Sequence, residues 1–339
     1  MPTKRASSFP SPLPIASDLW ATWRTAALAA ASELDVFTAL DKGLSTAEEV
    51  AAHSNANAGA MRRLLDAMVG MKHLVRRGDR YELTPAARTY LSGNSDLRMV
   101  GAEQVFRMLQ MGWQQLAQVV RTGRSAFGEG GPPPAEFFSV LVKSIFPQNY
   151  AGAKSAARAM GPAVRRRIRN ILDVGGGAGA WSIAIAEEIA AARATIVDYP
   201  EVIAVAREYV NRRGLAERFE YREGNFREVD FGTGEFDLAI LGHIVHGEGA
   251  EWGRRLIERC AGALRGKGIL LIAEFIPNDK RTGPAIPLLF DLNMMIATPE
   301  GATFTMREYR QWLKEAGFAS VKTVKSAMTP SPLILAVKP

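Results

Sequence analysis

The sequence is poor in the residues that staple or anchor a chain. It holds a single cysteine, Cys260, in 339 residues. That excludes a disulfide framework and any zinc site built from several cysteines. Within the amphipathic helical pattern around it, Cys260 reads as a small buried hydrophobe. No apolar run approaches the ~20 residues that a membrane-spanning helix requires. The longest, such as "GILLIA" from Gly268 to Ala273, are strand-sized. The opening "MPTKRASSFPSPLPIASD" is rich in proline and serine and has no apolar secretory core. It reads as a disordered leader over residues 1–17, and the expectation is a cytoplasmic protein without a membrane partner. Histidine is scarce as well, with four residues, so few side chains titrate near neutral pH.

What is present suits a globular chain of two domains. Hydrophobic residues make up 47% and charged residues 23%, enough to build sizeable cores. The net charge of +7 admits an acidic partner without requiring one. Much of it sits in "RRRIR", Arg165 to Arg169, which reads as a solvated connector. From Asp18 to Leu40 the apolar spacing predicts a helix. Ser45 or Thr46 can cap a second, with Glu48 and Glu49 in its first turn. Asn57 to Met71 gives a third, with Met61, Leu64, Leu65 and Met68 on one stripe. Two short strands, "HLV" and "YELT", follow, which makes a winged-helix outline. A helix over Ala102 to Thr122, a break at "GEGGPPP" (Gly128 to Pro134) and further helical segments lead to a domain boundary near Pro162 to Arg169. The expected division is 18–165 and 166–339.

Beyond Asn170 the texture changes. Short strand-like runs ("NILDVG", "ATIVD", "FDLAILG", "GILLIAEF") alternate with helical ones, the pattern of a parallel, doubly wound sheet. The last two strands, "FASVKTVK" and "PLILAVK", read as an antiparallel pair. The first strand empties into "GGGAG", where backbone N–H groups and a helix start can approach a ligand without Cβ interference. Gly175, Gly177 and Ala180 also satisfy the dinucleotide form G-x-G-x-x-G/A, and Asp198, ending the next strand, can bind ribose hydroxyls in either case. Three features favour S-adenosylmethionine over NAD. Asp173 lies inside the strand, where its carboxylate can receive an ammonium; the loop opens the second domain; and the sheet closes in an antiparallel pair.

The motifs "LDVGGGAG" (Leu172 to Gly179), "VDYPEV" (Val197 to Val202), "GNF" (Gly224 to Phe226), "HIVHGEG" (His243 to Gly249) and "AEFIPND" (Ala273 to Asp279) resemble those of the dimeric small-molecule O-methyltransferases of plant caffeate/isoflavone type and their bacterial relatives. The resemblance runs from Asp18 onward. It implies a class I, Rossmann-like α/β methyltransferase domain with a seven-stranded sheet, preceded by a mostly α-helical winged-helix domain that forms a homodimer. It implies S-adenosylmethionine as cofactor, S-adenosylhomocysteine as product, a small-molecule acceptor, no metal and no nucleic-acid partner. Residue by residue, it sets the cofactor's amino-acid end against Asp173 and the Gly175, Gly176 and Gly177 backbone. Asp198 falls to the ribose and Asn225 with Phe226 to the adenine. Gly242 and His243 complete the cofactor wall. His246 takes the general-base position, with Glu274 orienting it and His243 as the substitute base.

The sequence departs from the family at several of these places. Asn225 stands where an aspartate is commoner, Gly242 where a basic residue is, and Gly247 with Glu248 where the family writes Asp-Trp. A second family acid, expected near Ala302 to Phe304, is missing. For the acceptor, Tyr150, Met160, Asp291, Met294 and Met295, with Phe138 and Phe146, make a candidate apolar box; the acid in "FDLNMM" needs a partner. Two other functions compete: methylation of carbon or nitrogen on the same fold, and a winged-helix DNA-binding regulator. The second is weakened by a recognition helix that offers only Arg62 and Arg63 to base edges.

Overall fold

The computed structural model describes residues 9–99, 101–127 and 135–339. It divides into two compact units, 1–98 and 99–339, and each is considered by itself.

The first unit is helical with one small hairpin. Its elements are α1 (Leu13–Glu33), α2 (Val36–Asp41), α3 (Ala47–His53), α4 (Ala58–Gly70), β1 (Leu74–Arg77), β2 (Arg80–Leu83) and α5 (Pro85–Tyr90). The helix expected over Asp18 to Leu40 is broken near Asp35, whose φ of +52° takes the chain out of α1 and into α2. Thr46 caps α3 in a reciprocal box with Glu49, as the first-turn acids predict. Met61, Leu65 and Met68 of α4 join Val36, Phe37, Leu74 and Tyr81 in one core. The winged-helix outline therefore holds. Two of its arginines are paired within the unit: Arg62 with Glu48, and Arg76 with Asp66.

The second unit begins with α6 (Ala102–Trp113), α7 (Leu116–Thr122), α8 (Ala135–Ala159) and α9 (Gly161–Arg165). The doubly wound part follows as β3 (Asn170–Val174), α10 (Ala180–Glu188), β4 (Arg193–Asp198), α11 (Pro200–Arg212), β5 (Phe219–Glu223), β6 (Phe236–Gly242), α12 (Val245–Ala263), β7 (Leu264–Ala273), α13 (Ala285–Ala297), α14 (Met306–Glu315), β8 (Ser320–Val324) and β9 (Leu333–Val337). The sheet has seven strands in the order β5-β4-β3-β6-β7-β9-β8. The first five pair in parallel and β9 runs antiparallel to both neighbours. The near-continuous burial of β3 and β4 is that of strands covered on both faces. Leu172, Leu241, Ile272 and Ile334 of the sheet share a core with Leu256 and Ile257 of α12 and Tyr309 and Trp312 of α14.

Two expected boundaries move. The units part between Arg98 and Met99 rather than at 165/166, because α8 packs along α10 and α11 and belongs to the second unit. Of the leader expected over 1–17, residues 13–17 are helical, with Pro12 at the start of α1 where its missing N–H costs nothing. Residues 1–8 and the "GEGGPPP" break lie outside the described residues.

Candidate active site

The C-terminal ends of β3, β4, β6 and β7 meet at the middle of the sheet, where strand order reverses. Doubly wound folds place their ligands there. Gly175 and Gly177 adopt φ of +61° and +59°, in the left-handed region that glycine tolerates. A Cβ on Gly175 would meet the Ile244 side chain at 2.9 Å, and one on Gly176 would meet Ile196 at 2.8 Å. The loop is therefore a surface of bare backbone leading into α10.

Two carboxylates frame it. The Gly177 N–H donates to Asp198 Oδ2 at 2.9 Å and the Tyr199 N–H to Oδ1 at 2.8 Å. Asp198 does not cap α11, whose N-cap is Tyr199. Burial pushes its pKa up to about 6 against the pull of those two N–H groups. Asp173 accepts from the Ser182 N–H at 3.1 Å through Oδ2, while Oδ1 is buried without a partner. Burial, opposed by Ser182 and aided by the Asp198 charge, raises Asp173 to about 6 too. A buried oxygen with no donor beside a bare glycine turn fits a ligand bearing a cationic donor. The bare loop and its carboxylates match the polar ends of S-adenosylmethionine.

Asn225 and Phe226 follow β5. The Asn225 Oδ1 accepts from the Arg227 N–H at 2.9 Å, which folds a tight turn. Phe226 is buried in the core. Arg227 donates to Glu248 at 2.7 Å, so one of the two family departures at 247–248 supplies an ion pair joining this turn to α12.

The base position is built from β6, α12 and β7. Glu274 is 2% exposed. Its Oε2 lies 2.6 Å from His246 Nδ1 and its Oε1 accepts the His246 backbone N–H at 3.2 Å. Burial alone would raise the Glu274 pKa, but the facing histidine and its hydrogen bonds hold it below the ordinary range. An ionised carboxylate only accepts, so Nδ1 carries the proton and the Nε2 lone pair is left free to receive one. The edge of His246 meets Phe290 at 4.8 Å, and Phe290 stacks on Phe275 at 3.8 Å. Hydrogen bonding to the buried acid and this aromatic wall fix the ring.

His243 directly follows β6 at φ +62°, and its N–H donates to the Ala273 carbonyl at 2.8 Å. Burial lowers its pKa to about 4, opposed by Glu274 and aided by His246. Gly242 lets the Trp181 indole come close: a Cβ there would meet ring atoms at 2.5 to 2.6 Å. The place of the family's basic residue is thus filled by an aromatic ring.

Several of the acceptor residues expected from the sequence are engaged in packing and hydrogen bonding of their own. Tyr150 donates to Glu187 and accepts from Arg213 at 3.2 Å, in a network that ties α8, α10 and α11 together. Phe146 stacks on Tyr150 and packs on Tyr209 within that network. Met160 is buried at the junction of α8 and α9, and Met294 is buried on α13 while Met295 is half-buried. Asp291 has the partners its setting demands. Thr303 donates to its Oδ1 from N–H and Oγ1, at 2.6 and 2.9 Å, and Arg281 donates to Oδ2 at 2.7 Å. Its carboxylate braces the segment that follows α13 and is not free for an acceptor. Thr303 occupies the stretch where a second acid was expected. Sequence reasoning missed Phe275, Phe290 and Trp181, although each lies within two residues of a motif residue or of the glycine loop.

Fold and site together define a methyltransferase that uses S-adenosylmethionine. The comparisons agree. Residues 113–319 match the O-methyltransferase domain and residues 19–93 the O-methyltransferase dimerisation domain. The chain is 30% identical to 3-hydroxy-5-methyl-1-naphthoate 3-O-methyltransferase of Streptomyces sahachiroi, covering 90% of this chain and 89% of the relative. It is 31% identical to acetylserotonin O-methyltransferase of Bos taurus, covering 89% and 91%. Human N-acetylserotonin methyltransferase in complex with SAM superposes with a TM-score of 0.80 at 26% identity, covering 98% of this chain and 99% of that one. The chain belongs to the O-methyltransferase family.

Proposed function

We propose that this enzyme methylates a hydroxyl of a small aromatic or polyketide-like metabolite, with His246 as general base. The observation that carries the reading is the double grip of Glu274 on His246, through the ring and through the backbone. A phenol near pKa ~10 gives up its proton most readily to a positioned base that titrates near neutrality. In this reading the acceptor hydroxyl donates to His246 Nε2 and its proton passes there as the oxygen takes the methyl group. Glu274 holds the tautomer and stabilises the imidazolium that results. The cofactor, when bound, supplies the methyl group on a sulfonium. The protein's share is to align the oxygen with it and keep water out. Asp173 and the Gly175–Gly177 backbone would hold the amino-acid end, Asp198 the ribose, and Asn225 with Phe226 the adenine. No metal is given a part in turnover.

Relatives support a hydroxyl acceptor. The Streptomyces sahachiroi enzyme is named for a hydroxynaphthoate, and a 28% identical Streptomyces glaucescens relative is the tetracenomycin polyketide synthesis 8-O-methyl transferase TcmO. Nitrogen methylation is the second reading, because the chain is also 26% identical to the N,N-dimethyltransferase OxyT of Streptomyces rimosus. An amine acceptor needs no strong base. The two readings separate on a panel of phenols and amines assayed with wild type and His246→Ala. Loss of phenol turnover in the variant is expected, and undiminished turnover would remove the base role.

A homodimer through the first unit completes the reading. Its support is the dimerisation-domain match over 19–93 and an exposed apolar face on α1, where Leu19, Trp20 and Trp23 stand in solvent and the two indoles stack at 5.8 Å. No helix among the described residues is long and apolar enough to cross a membrane. With the lone reduced-type cysteine, that supports placing the enzyme in the cytoplasm.

A further inference from the structure

His243, the substitute base in the sequence reading, takes no part in the reaction proposed above, yet its surroundings are not those of a packing residue. Its Nδ1 is shielded from solvent and has no hydrogen-bond partner. Its backbone sits in the left-handed region, which costs a non-glycine residue about 1–2 kcal/mol. Two further metal-ligand side chains converge beside it. One donor atom from each of His243, His246 and Glu274 lies within 4.8 Å of the other two. The two imidazoles are 6.4 Å apart between ring centres, roughly an ångström more than two ring ligands of one tetrahedral ion, so the rings must turn toward each other to share it. Phe275 faces His243 at 5.3 Å, so one wall of the cluster is apolar and excludes competing water.

We propose that His243, His246 and Glu274 form a binding site for a single divalent transition-metal ion of the Zn²⁺ type, and that occupancy of this site arrests methyl transfer. The donor set decides the class of ion. Two imidazole nitrogens and one carboxylate oxygen suit Zn²⁺, Co²⁺ or Ni²⁺. Mg²⁺ and Ca²⁺ require more oxygen ligands than the cluster offers. Bonds of about 2.0–2.2 Å place tetrahedral ligands roughly 3.3–3.6 Å apart, so the site is completed when the 2.6 Å His246–Glu274 contact opens and His243 closes by about an ångström. Three protein ligands leave a fourth position for water. An ion shared with Glu274 would take His246 Nδ1 in place of its proton, so that the ring proton sits on Nε2 and the lone pair that otherwise receives the acceptor's proton is lost. This inhibitory half rests on the base role proposed above for His246; the ion-binding half does not.

The test uses the full-length chain without cofactor. Calorimetric titration with ZnCl₂ is expected to show one saturable site, and Co²⁺ to develop the visible absorption of a tetrahedral centre. His243→Phe should weaken Zn²⁺ binding by about 100-fold or more, as loss of one of three ligands demands. Should that variant fail to fold, imidazole resonances of the unmutated protein give the same answer. Zn²⁺ should shift those of His243 and His246 and leave those of His53 and His73 in place. Absence of saturable binding, unchanged affinity in His243→Phe, or shifts confined to His53 and His73 would overturn the site. Methyl transfer should fall in proportion to Zn²⁺ occupancy and return on adding a chelator. If the titrated site binds Zn²⁺ while turnover continues undiminished, the metal site stands and the base role of His246 fails.

Discussion

The two halves of the active site are built in opposite ways. In the proposed reading the cofactor side is backbone: the turn at Gly175 to Gly177, the ends of β3 and β4, and two carboxylates tied to N–H groups within nine and twenty-one residues of themselves. The proposed acceptor side is made of side chains from separate elements, with His246 on α12, Glu274 after β7, and Phe290 and Asp291 on α13. A shared cofactor can be recognised by backbone shape, which tolerates sequence change. A variable acceptor must be recognised by side chains, and the chain departs from its family on both sides, at Asn225 and Gly242 by the cofactor and at Gly247 and Glu248 next to the base.

That contrast breaks most sharply at His246. His246→Ala should lower kcat by about 10²–10⁴-fold, the share of a general base, while the calorimetric affinity for S-adenosylhomocysteine holds. A parallel loss of cofactor binding would mean that the two halves are not separable. Gly175→Ala should do the reverse. Its Cβ meets Ile244 at 2.9 Å and its φ is strained, so cofactor affinity should fall about tenfold or more. Affinity within twofold of wild type would show that the loop backbone is not the cradle.

Glu274→Gln should cost about 10–100-fold in kcat with little change in KM, since the amide can hold the ring but not stabilise its charge. An unaltered pH–rate profile would count against the tautomer argument. Asp173 sharpens the comparison through pH. Its folded pKa, about 6, lies above the ordinary 3.8. Its stabilising contribution is thus complete below pH 3.8 and lost as pH rises through about 6. At neutral pH the ionised group is a cost, and Asp173→Asn should raise stability by up to about 3 kcal/mol while weakening cofactor binding. In wild type the cofactor Kd should rise as pH falls through about 6, as Asp173 and Asp198 protonate. The smallest effect is expected at Asp291. Asp291→Asn should loosen the brace to Thr303 and Arg281, costing about 1–2 kcal/mol of stability and raising the acceptor KM a few-fold.

The cofactor side was the more legible half in sequence. The alternation of strands and helices, the glycine turn, Asp173 and Asp198 all lie in short motifs whose local conformation is set by neighbouring residues. On the acceptor side only His246 and Glu274 stood in motifs; the rest was not legible. Tyr150 and Phe146 looked like pocket aromatics and proved to be helix packing around Glu187 and Arg213. Asp291 was rightly judged to need a partner, but Arg281 and Thr303 could not be named, and the Phe275–Phe290 stack went unseen. A methionine or aromatic at helical spacing looks the same whether it faces a ligand or a neighbouring helix.

By itself the sequence determined what depends on contacts a few residues apart: the cap at Thr46, the glycine turn at Gly175 to Gly177, and the alternation of strands and helices. Only the tertiary structure decided where the units part, which basic side chains are already paired, and that His243, His246 and Glu274 each bring one donor atom within 4.8 Å of the others. Those outcomes depend on residues tens of positions apart meeting in one direction and at one distance. Side-chain type along a chain does not encode that, because many packings satisfy the same apolar pattern and close packing admits one.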